Sequence, residues 1–257
     1  MNIYQHFRPE EREFIDQVLH WKDFVDSSYT SKLTDFLDPR EQHILKTIIG
    51  ENGSIKYQLF GGSSEGERKR ALIMPDYIIP DEKDFQITLF EIDYPIKFVS
   101  IEHPQVLGSL MSLGLKRGKF GDILMKDGRV QFFSSTEIGD YIKSNLESIG
   151  RASIRLKEVD LEEAIKVDDL WMEQDITVSS LRLDTIISGI HHISRQKSQL
   201  FIQQGLVKVN WTSIENHSFE CAVGDLLSVR GYGRVKILSI EGRTKKDKWR
   251  IVVGKQK

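Results

Sequence analysis

The stretch RLDTIISGIHHISRQKSQLFIQQGLVKVN, from Arg182 to Asn210, decides the fold of the C-terminal part of the chain. Its first apolar residues recur at the i, i+3, i+4 and i+7 spacing of a helix; they are Leu183, Ile186, Ile187 and Ile190. Ser194 is a natural N-cap for a second helix, and Gly205 can end that helix. The residues LVKVN then alternate as in a strand. The stretch therefore predicts two short helices followed by a strand.

The polar residues of this stretch predict an anion-binding surface. Two successive short helices leave several basic side chains as candidates for one surface: Arg182, Arg195, Lys197 and Lys208. The exposed N–H groups at the start of the second helix, which Ser194 caps, favour an anion such as phosphate. His191 and His192 point about 100° apart on a helix end, and no other histidine or cysteine lies at ligand spacing from them. We therefore expect an interhelical loop at the histidines, with no metal and no cofactor.

This region resembles the S4 RNA-binding domain from Leu181 to about Ile240. The resemblance rests on Arg182-Leu183-Asp184, on Ser194-Arg195, on FIQQGLVKVN, and on Gly224-Asp225 within VGDLLSVRGYGR. It implies an αα-turn with a small sheet that binds structured RNA, mostly rRNA or tRNA. The residues that it implies for RNA binding are Arg182, Asp184, Ser194, Arg195, Lys197, Lys208 and Asn210.

The charge distribution agrees with this resemblance. From Leu181 onward the sequence has 14 Lys and Arg against 6 Asp and Glu, whereas the rest has 22 basic and 32 acidic residues. A basic module on an acidic body is typical of nucleic-acid binding, although a solvated charged face would give the same count. The single cysteine, Cys221, excludes an intrachain disulfide and a multi-cysteine zinc site. The chain has neither a secretory h-region nor an apolar run near the roughly 18 residues of a membrane span, so we expect a cytoplasmic location and no membrane partner.

The N-terminal part, residues 1–80, has the pattern of an α/β domain. Pro9 suits the first turn of a helix. In DPREQHILKTIIG, Asp38 can cap a helix and Glu41 can complete a capping box. The segments SIKYQLFGG and RALIMPDYIIP predict two strands around a loop.

That loop, GGSSEGERKR, has part of a phosphate-binding motif. Gly61 and Gly66 match the glycine spacing of a P-loop, but Glu67 and Arg68 stand where Lys and Ser or Thr would hold phosphate and magnesium. We therefore expect a surface turn, whose basic residues at 68–70 could still contact a phosphate backbone.

The middle part, residues 81–160, predicts a β-α-β-β-α-β order, the split-βαβ plait also found in RRM domains. The segment SSTEIGDYIKSNLESIG is typical of a helix with a capping box between Ser134 and Glu137. Phe132 and Phe133 are adjacent in a strand, so at most one of them faces away from the core and could stack on a base.

The turn GLKRGKFGD adds a small basic cluster to the middle part. Lys116, Arg117 and Lys119 stand among glycines that let the backbone approach a ligand closely. They are candidates for RNA binding, with a solvated loop as the alternative. Residues 161–180 are acidic and predict a linker, from which Trp171 would dock on a neighbouring domain.

The whole chain resembles the YlmH-like family of bacterial proteins, with HPQVLGSLMSLGLKRGKFGDIL as the family-like stretch of the middle part. The resemblance implies a multidomain α+β protein with an S4 domain at residues 181–257. It also implies a role on the ribosomal large subunit in rescue of stalled peptidyl-tRNA complexes, and a link to cell division. We therefore expect a non-catalytic factor whose partners are rRNA, tRNA and the large subunit, with no small-molecule substrate.

Two other classes of function stay open: an RNA-modifying enzyme that uses an S4 domain for targeting, and a protein-interaction adaptor in cell division. Against an enzyme, too little chain remains for a pseudouridine synthase domain. The sequence also has no HIGH-like or KMSKS-like motif of a tyrosyl-tRNA synthetase. The glycine-rich strand-to-helix turn of a methyltransferase is absent as well.

Overall fold

The computed structural model describes residues 4, 7, 11–51, 53–64, 66–166 and 171–256. The chain divides into two compact units, residues 1–167 and 168–257. Both combine helices with antiparallel sheets, which confirms the predicted α+β class. No helix in the described ranges is long and apolar enough to cross a membrane. Pro9, predicted to begin the first helix, lies outside the described residues.

The first unit begins with two helices on a three-stranded sheet. The elements are α1 (Arg12–Ser28), β1 (Lys32–Leu37), α2 (Pro39–Ile49), β2 (Ile55–Phe60) and β3 (Lys69–Pro75), and the sheet order is β1-β3-β2. The predicted capping box is confirmed, since Glu41 N donates to Asp38 Oδ1 at 2.9 Å and Asp38 N donates to Glu41 Oε2 at 2.7 Å. Apolar residues of both helices pack with Ala71 and Ile73 of β3. Strand β1 was not predicted, because apolar and polar residues do not alternate regularly in KLTDFL. The structure shows a matching irregularity in the pairing of β1 with β3.

The same unit continues with the predicted β-α-β-β-α-β order. Its elements are β4 (Ile87–Asp93), α3 (His103–Ser112), β5 (Phe120–Lys126), β6 (Arg129–Ser135), α4 (Gly139–Asn145), a small hairpin β7 (Ser148–Ile149) and β8 (Ala152–Ser153), and β9 (Arg155–Val159). The sheet order β5-β6-β4-β9 places the first and third main strands at the centre, as in the split-βαβ plait. The helices cover one face, where Leu110 and Ile142 pack with Phe132.

The predicted helix start at Ser134 is wrong. Ser134 and Ser135 belong to β6 and are buried, because β6 pairs with β4 as far as the Ile87–Ser135 pair. A 3₁₀ turn follows, and α4 begins only at Gly139. Strand pairing thus overrides the local capping pattern, and Glu137 forms an ion pair with Lys119 instead.

The second face of this sheet is covered as well. Phe133 is fully buried there with Phe36 of β1 and with Ile165. At Gly62, which has a φ of 93°, a Cβ atom would lie 2.5 Å from the Phe133 ring. Phe132 is also fully buried and stacks on Phe90 with 5.3 Å between the ring centroids. Neither phenylalanine can therefore stack on a base, although the sequence left one of them available.

The second unit is a six-stranded antiparallel sheet with two helices. Its elements are β10 (Trp171–Val178), α5 (Leu183–His191), α6 (Arg195–Gln203), β11 (Val207–Val209), β12 (Thr212–Ser213), β13 (Leu226–Val229), β14 (Gly233–Arg243) and β15 (Trp249–Gln256). The sheet order is β10-β15-β14-β13-β11-β12. The predicted helix pair is confirmed, and Ile186 and Ile202 of its two helices share a core with Val253 of β15.

The segment predicted as an acidic linker, residues 161–180, contains regular structure at both ends. Leu161–Glu163 is a 3₁₀ turn, and residues 171–178 pair with β15 along the whole of β10. Trp171 packs against Gly254, where a Cβ atom would lie 2.8 Å from the Trp171 Cβ. Strand β10 is therefore part of the C-terminal sheet, and the rest of the predicted division into domains stays a prediction.

Candidate nucleic-acid interface

The centre of the candidate site is Asp184, in the first turn of α5. Its side chain has an exposed fraction of 0%. Oδ2 accepts hydrogen bonds from Arg195 Nε at 2.9 Å and from Gln199 Nε2 at 2.7 Å. Oδ1 accepts from Thr185 Oγ1 at 3.1 Å and, more weakly, from Arg182 Nε at 3.4 Å. The buried carboxylate thus ties the first helix to the second across the αα-turn.

Ionisation of Asp184 is favoured despite its burial. Burial acts against the charged form, but hydrogen bonds from Gln199, Arg195 and Thr185 outweigh it and lower the pKa of the carboxyl. Asp184 was predicted to contact RNA. Its carboxylate is covered by protein and holds two arginines in place, and an RNA contact by Asp184 stays a prediction.

Arg182 and Arg195 flank this carboxylate at the surface. The exposed fractions of their side chains are 37% and 51%. In both ion pairs the atom that meets Asp184 is Nε, so Asp184 does not use the two terminal nitrogens of either guanidinium. Two guanidinium groups that are each held through Nε can use their terminal nitrogens to bind phosphate by charge-assisted hydrogen bonds. The structure therefore brings together the two arginines that the sequence singled out.

The start of α6 adds a dipole to this surface. Ser194 Oγ accepts a hydrogen bond from Lys197 N at 3.2 Å, which confirms the predicted N-cap. Lys197 is exposed, and its Nζ lies 5.6 Å from the centroid of the Phe201 ring. The positive end of the helix dipole, Lys197 and the two arginines all favour an anion here. We call Arg182, Asp184, Arg195 and Lys197 the α5–α6 grip.

Lys208 does not join the grip. Its neighbours Val207 and Val209 are buried in the core that α5 and α6 cover. Since successive side chains of a strand point to opposite faces, the exposed Lys208 lies on the sheet face away from the helices. The prediction of one shared surface for Lys208 and the arginines is therefore wrong.

Asn210 holds a turn. It adopts a left-handed conformation with a φ of 48°. Its Nδ2 donates to Asp225 Oδ1 at 2.8 Å, and its Oδ1 accepts from Leu226 N at 2.9 Å. Asp225 also accepts from Ala222 N at 2.8 Å. These bonds give the Asn210 and Gly224-Asp225 parts of the motif a structural role, and an RNA contact by Asn210 stays a prediction.

The two histidines lie at the other end of α5. His191 is half-buried with its ring centroid 4.8 Å from that of Tyr232. Burial, with smaller effects from Lys255 and His192, lowers the pKa of His191 to about 4, so it is neutral near pH 7. His192 occupies the left-handed turn between the helices. The described residues contain no group of three His, Cys, Asp or Glu side chains that could hold a metal ion.

The basic cluster of the middle part is largely engaged within the protein. Lys119 Nζ bonds to Asp35 at 2.7 Å and also to Glu137. Burial opposes the charge of Lys119, but these two carboxylates raise its pKa. Arg117 Nη1 donates to the carbonyl of Phe120 at 2.6 Å. Lys116 is exposed, so it is the member of the cluster best placed for RNA, and the cluster as a whole stays a prediction.

The loop at residues 61–68 is occupied by an internal carboxylate. Asp122 of β5 accepts hydrogen bonds from Glu67 N at 2.6 Å and from Arg68 N at 3.2 Å. In a P-loop, backbone amides at these positions would donate hydrogen bonds to phosphate, whereas here they donate to Asp122. Arg70 is buried and donates to the carbonyls of Thr34 and Phe85, so its predicted availability for phosphate is wrong.

Comparison with known proteins shows the family of this chain. The family model of the RNA-binding domain in YlmH matches residues 80–163, and that of the S4 domain matches residues 181–227. Over 257 residues the chain is 48% identical to "Ribosome-associated protein quality control protein P2" of Bacillus subtilis (strain 168), with 100% of this chain and 99% of the relative covered. The chain belongs to the YlmH family. A solved YlmH structure, "Cell division protein ylmH from Streptococcus pneumoniae", superposes with a TM-score of 0.55 at 34% identity, over 63% of this chain and 99% of its own.

Family membership makes this chain an RNA-binding protein of the S4 type. The sequence did not predict two residues that donate hydrogen bonds to Asp184 of the grip, Gln199 and Thr185. Gln199 stands one helical turn after Arg195, so both side chains reach the same oxygen of Asp184. Thr185 is buried beside Asp184 and donates to it. The i, i+4 spacing of Arg195 and Gln199 was a usable signal, whereas Thr185 offered none.

Proposed function

We propose that this chain is a non-catalytic factor that binds structured rRNA or tRNA on the large ribosomal subunit and acts when translation stalls. The observation that carries the proposal is the α5–α6 grip, in which a buried carboxylate holds two partly exposed arginines through their Nε atoms. Charged donors in fixed positions suit the phosphate backbone of a folded RNA.

The relatives support the same biological setting. The Bacillus protein carries ribosome-associated quality control in its name, and the chain matches it from end to end. A partner on the ribosome would keep the protein in the cytoplasm. The streptococcal relative is named for cell division. The test must therefore distinguish RNA binding on the ribosome from a role in division.

The test compares Arg182→Ala/Arg195→Ala with a control that removes the same charge elsewhere. Arg12→Ala/Lys46→Ala is suitable, because both residues are exposed in the first unit and lie outside residues 80–163, which match the RNA-binding domain of YlmH. Each lost charge-assisted contact is worth about 1.5–3 kcal/mol, so the grip variant should bind labelled tRNA and large-subunit rRNA at least roughly tenfold more weakly. The control should bind as the wild type does.

Co-sedimentation with purified ribosomal subunits completes the test. We expect the wild type and the control to sediment with the large subunit and the grip variant to stay in the supernatant at the same salt concentration. Circular dichroism verifies that each variant is folded. If the grip variant binds RNA and subunits like the wild type, the grip is not the RNA site. If the wild type itself binds neither RNA nor the large subunit, the proposed function is wrong, and a protein partner in division becomes the better explanation.

A further inference from the structure

The positive charge of the C-terminal unit lies outside the segment that matches the S4 domain. Residues 181–227 contain four Lys and Arg and four Asp and Glu, so their formal charges cancel. Residues 228–257 contain ten Lys and Arg but two acidic residues, Glu241 and Asp247. The long-range attraction for a polyanion therefore comes mainly from the β14–β15 hairpin and its flanks.

The tip of this hairpin, residues 244–248, is a well-defined turn. Thr244 N donates to the Lys248 carbonyl at 2.7 Å, and Asp247 N donates to the Thr244 carbonyl at 2.9 Å. Asp247, the acidic residue of the tip, is paired with Arg243 at 2.5 Å. The Arg243 guanidinium in turn lies over the Trp249 ring, 4.9 Å from its centroid. The turn is therefore held without using the ammonium groups of its lysines.

Three lysines of the tip point into solvent. Lys245, Lys246 and Lys248 are exposed, and no carboxylate in the described ranges forms an ion pair with them. Unpaired ammonium groups on an ordered turn favour phosphate groups, since neutralising each phosphate releases a counterion. The tip has no exposed apolar side chain that would favour a protein partner.

The tip lies at the same end of the unit as the α5–α6 grip. Trp249 pairs with Val178, the last residue of β10. Arg182 follows Val178 by four residues, which span at most about 14 Å when fully extended. Paired strand residues lie about 5 Å apart, so the Cα atoms of Arg182 and Trp249 are within roughly 20 Å. One RNA helix can bridge that distance, since a double-stranded RNA-binding domain spans about 16 base pairs.

We propose that the tip of the β14–β15 hairpin is a second RNA contact, in which Lys245, Lys246 and Lys248 bind phosphates of the RNA that the α5–α6 grip holds. The inference rests on the proposed function and adds a site to it. In this proposal the grip provides oriented hydrogen-bond donors. The hairpin lysines neutralise phosphates, and they account for most of the decrease in affinity as salt rises.

The test measures the affinity for labelled tRNA and large-subunit rRNA across a salt series. The hairpin variant is Lys245→Gln/Lys246→Gln/Lys248→Gln. Its matched control, Arg12→Gln/Lys32→Gln/Lys46→Gln, removes three charges from the first unit outside residues 80–163, which match the RNA-binding domain of YlmH. Each lost phosphate contact makes the log–log slope less negative by roughly 0.7–0.9. We expect a change of about 2 in the slope and at least roughly tenfold weaker binding near physiological salt for the hairpin variant, with wild-type behaviour of the control.

The hairpin and the grip can fail separately. If the hairpin variant keeps the wild-type slope and affinity while Arg182→Ala/Arg195→Ala is weakened, the second contact is wrong and the proposed function stands. If only the hairpin variant binds RNA more weakly, the tip is an RNA contact but the grip is not, and the proposal that both hold one RNA is wrong. Wild-type RNA binding by the hairpin variant, together with lost binding to vesicles of anionic phospholipid, would overturn the RNA assignment in favour of a lipid surface.

Discussion

Replacing Asp184 with Asn tests whether the buried carboxylate orients the two arginines. Both oxygens of Asp184 face donors: Arg182 and Thr185 approach Oδ1, and Arg195 and Gln199 approach Oδ2. An asparagine in either orientation turns an NH₂ group toward two of these donors. The substitution therefore removes about two hydrogen bonds and creates a repulsive contact.

The expected loss of stability follows from these contacts. A hydrogen bond to a charged group contributes about 1.5–3 kcal/mol and a neutral one about 1 kcal/mol. The arginine heads are partly exposed and can return to water, which reduces the cost. We expect Asp184→Asn to lower the free energy of unfolding of the C-terminal unit by about 2–3 kcal/mol. RNA binding by the folded variant should weaken by roughly tenfold, because the arginines lose their anchor.

Urea unfolding followed by circular dichroism measures the first effect, and RNA titration at low urea measures the second. Asp175→Asn is the control, since Asp175 is an exposed acid of β10 in the same unit and should change stability by less than about 0.5 kcal/mol. The reasoning fails if Asp184→Asn is less stable but binds RNA with the wild-type affinity, since the arginines would then need no anchor.

Two other substitutions test a pH dependence and a close contact. Folding lowers the pKa of His191 from 6.5 to about 4. The unfolded chain therefore binds a proton more readily, and the free energy of unfolding should be highest above pH 6.5 and should decrease as the pH falls toward 4. At about 1.36 kcal/mol per pKa unit, the loss of stability is at most about 3 kcal/mol. His191→Gln should remove this dependence in pH-resolved unfolding, and an unchanged profile would contradict it. Gly62→Ala should destabilise the first unit by about 1–3 kcal/mol, because its Cβ atom would meet the Phe133 ring at 2.5 Å. The control Gly108→Ala has open space and a helical position, so thermal unfolding should show equal or higher stability.

The sequence predicted local structure well where periodicity and capping agreed. The apolar spacing of α5, the Ser194 cap and the Asp38–Glu41 capping box are all confirmed. The predictions that were wrong concern segments whose structure depends on strand pairing. Ser134 extends β6 because β4 pairs with it, and residues 171–178 became a strand because β15 lies beside them. Such partners are distant in sequence, so a local pattern does not reveal them.

The sequence predicted which residues form the candidate site, but not how they are arranged. Arg182 and Arg195 meet at Asp184 only because the αα-turn brings the starts of two helices together. The burial of Asp184 follows from that packing and was not visible in the sequence. Lys208 was a different case. Its alternation with Val207 and Val209 already placed it opposite the core, and that signal should have separated it from the arginines.

The position of β10 constrains how the C-terminal unit can form during synthesis. β10 is an edge strand, and its neighbour β15 is translated more than seventy residues later. Until β15 leaves the ribosome, β10 has no strand partner, and its backbone stays open to pairing with other chains. The nascent unit should therefore complete its fold only after its last strand emerges, and slower translation across residues 180–248 would lengthen its exposure to chaperones and to misfolding.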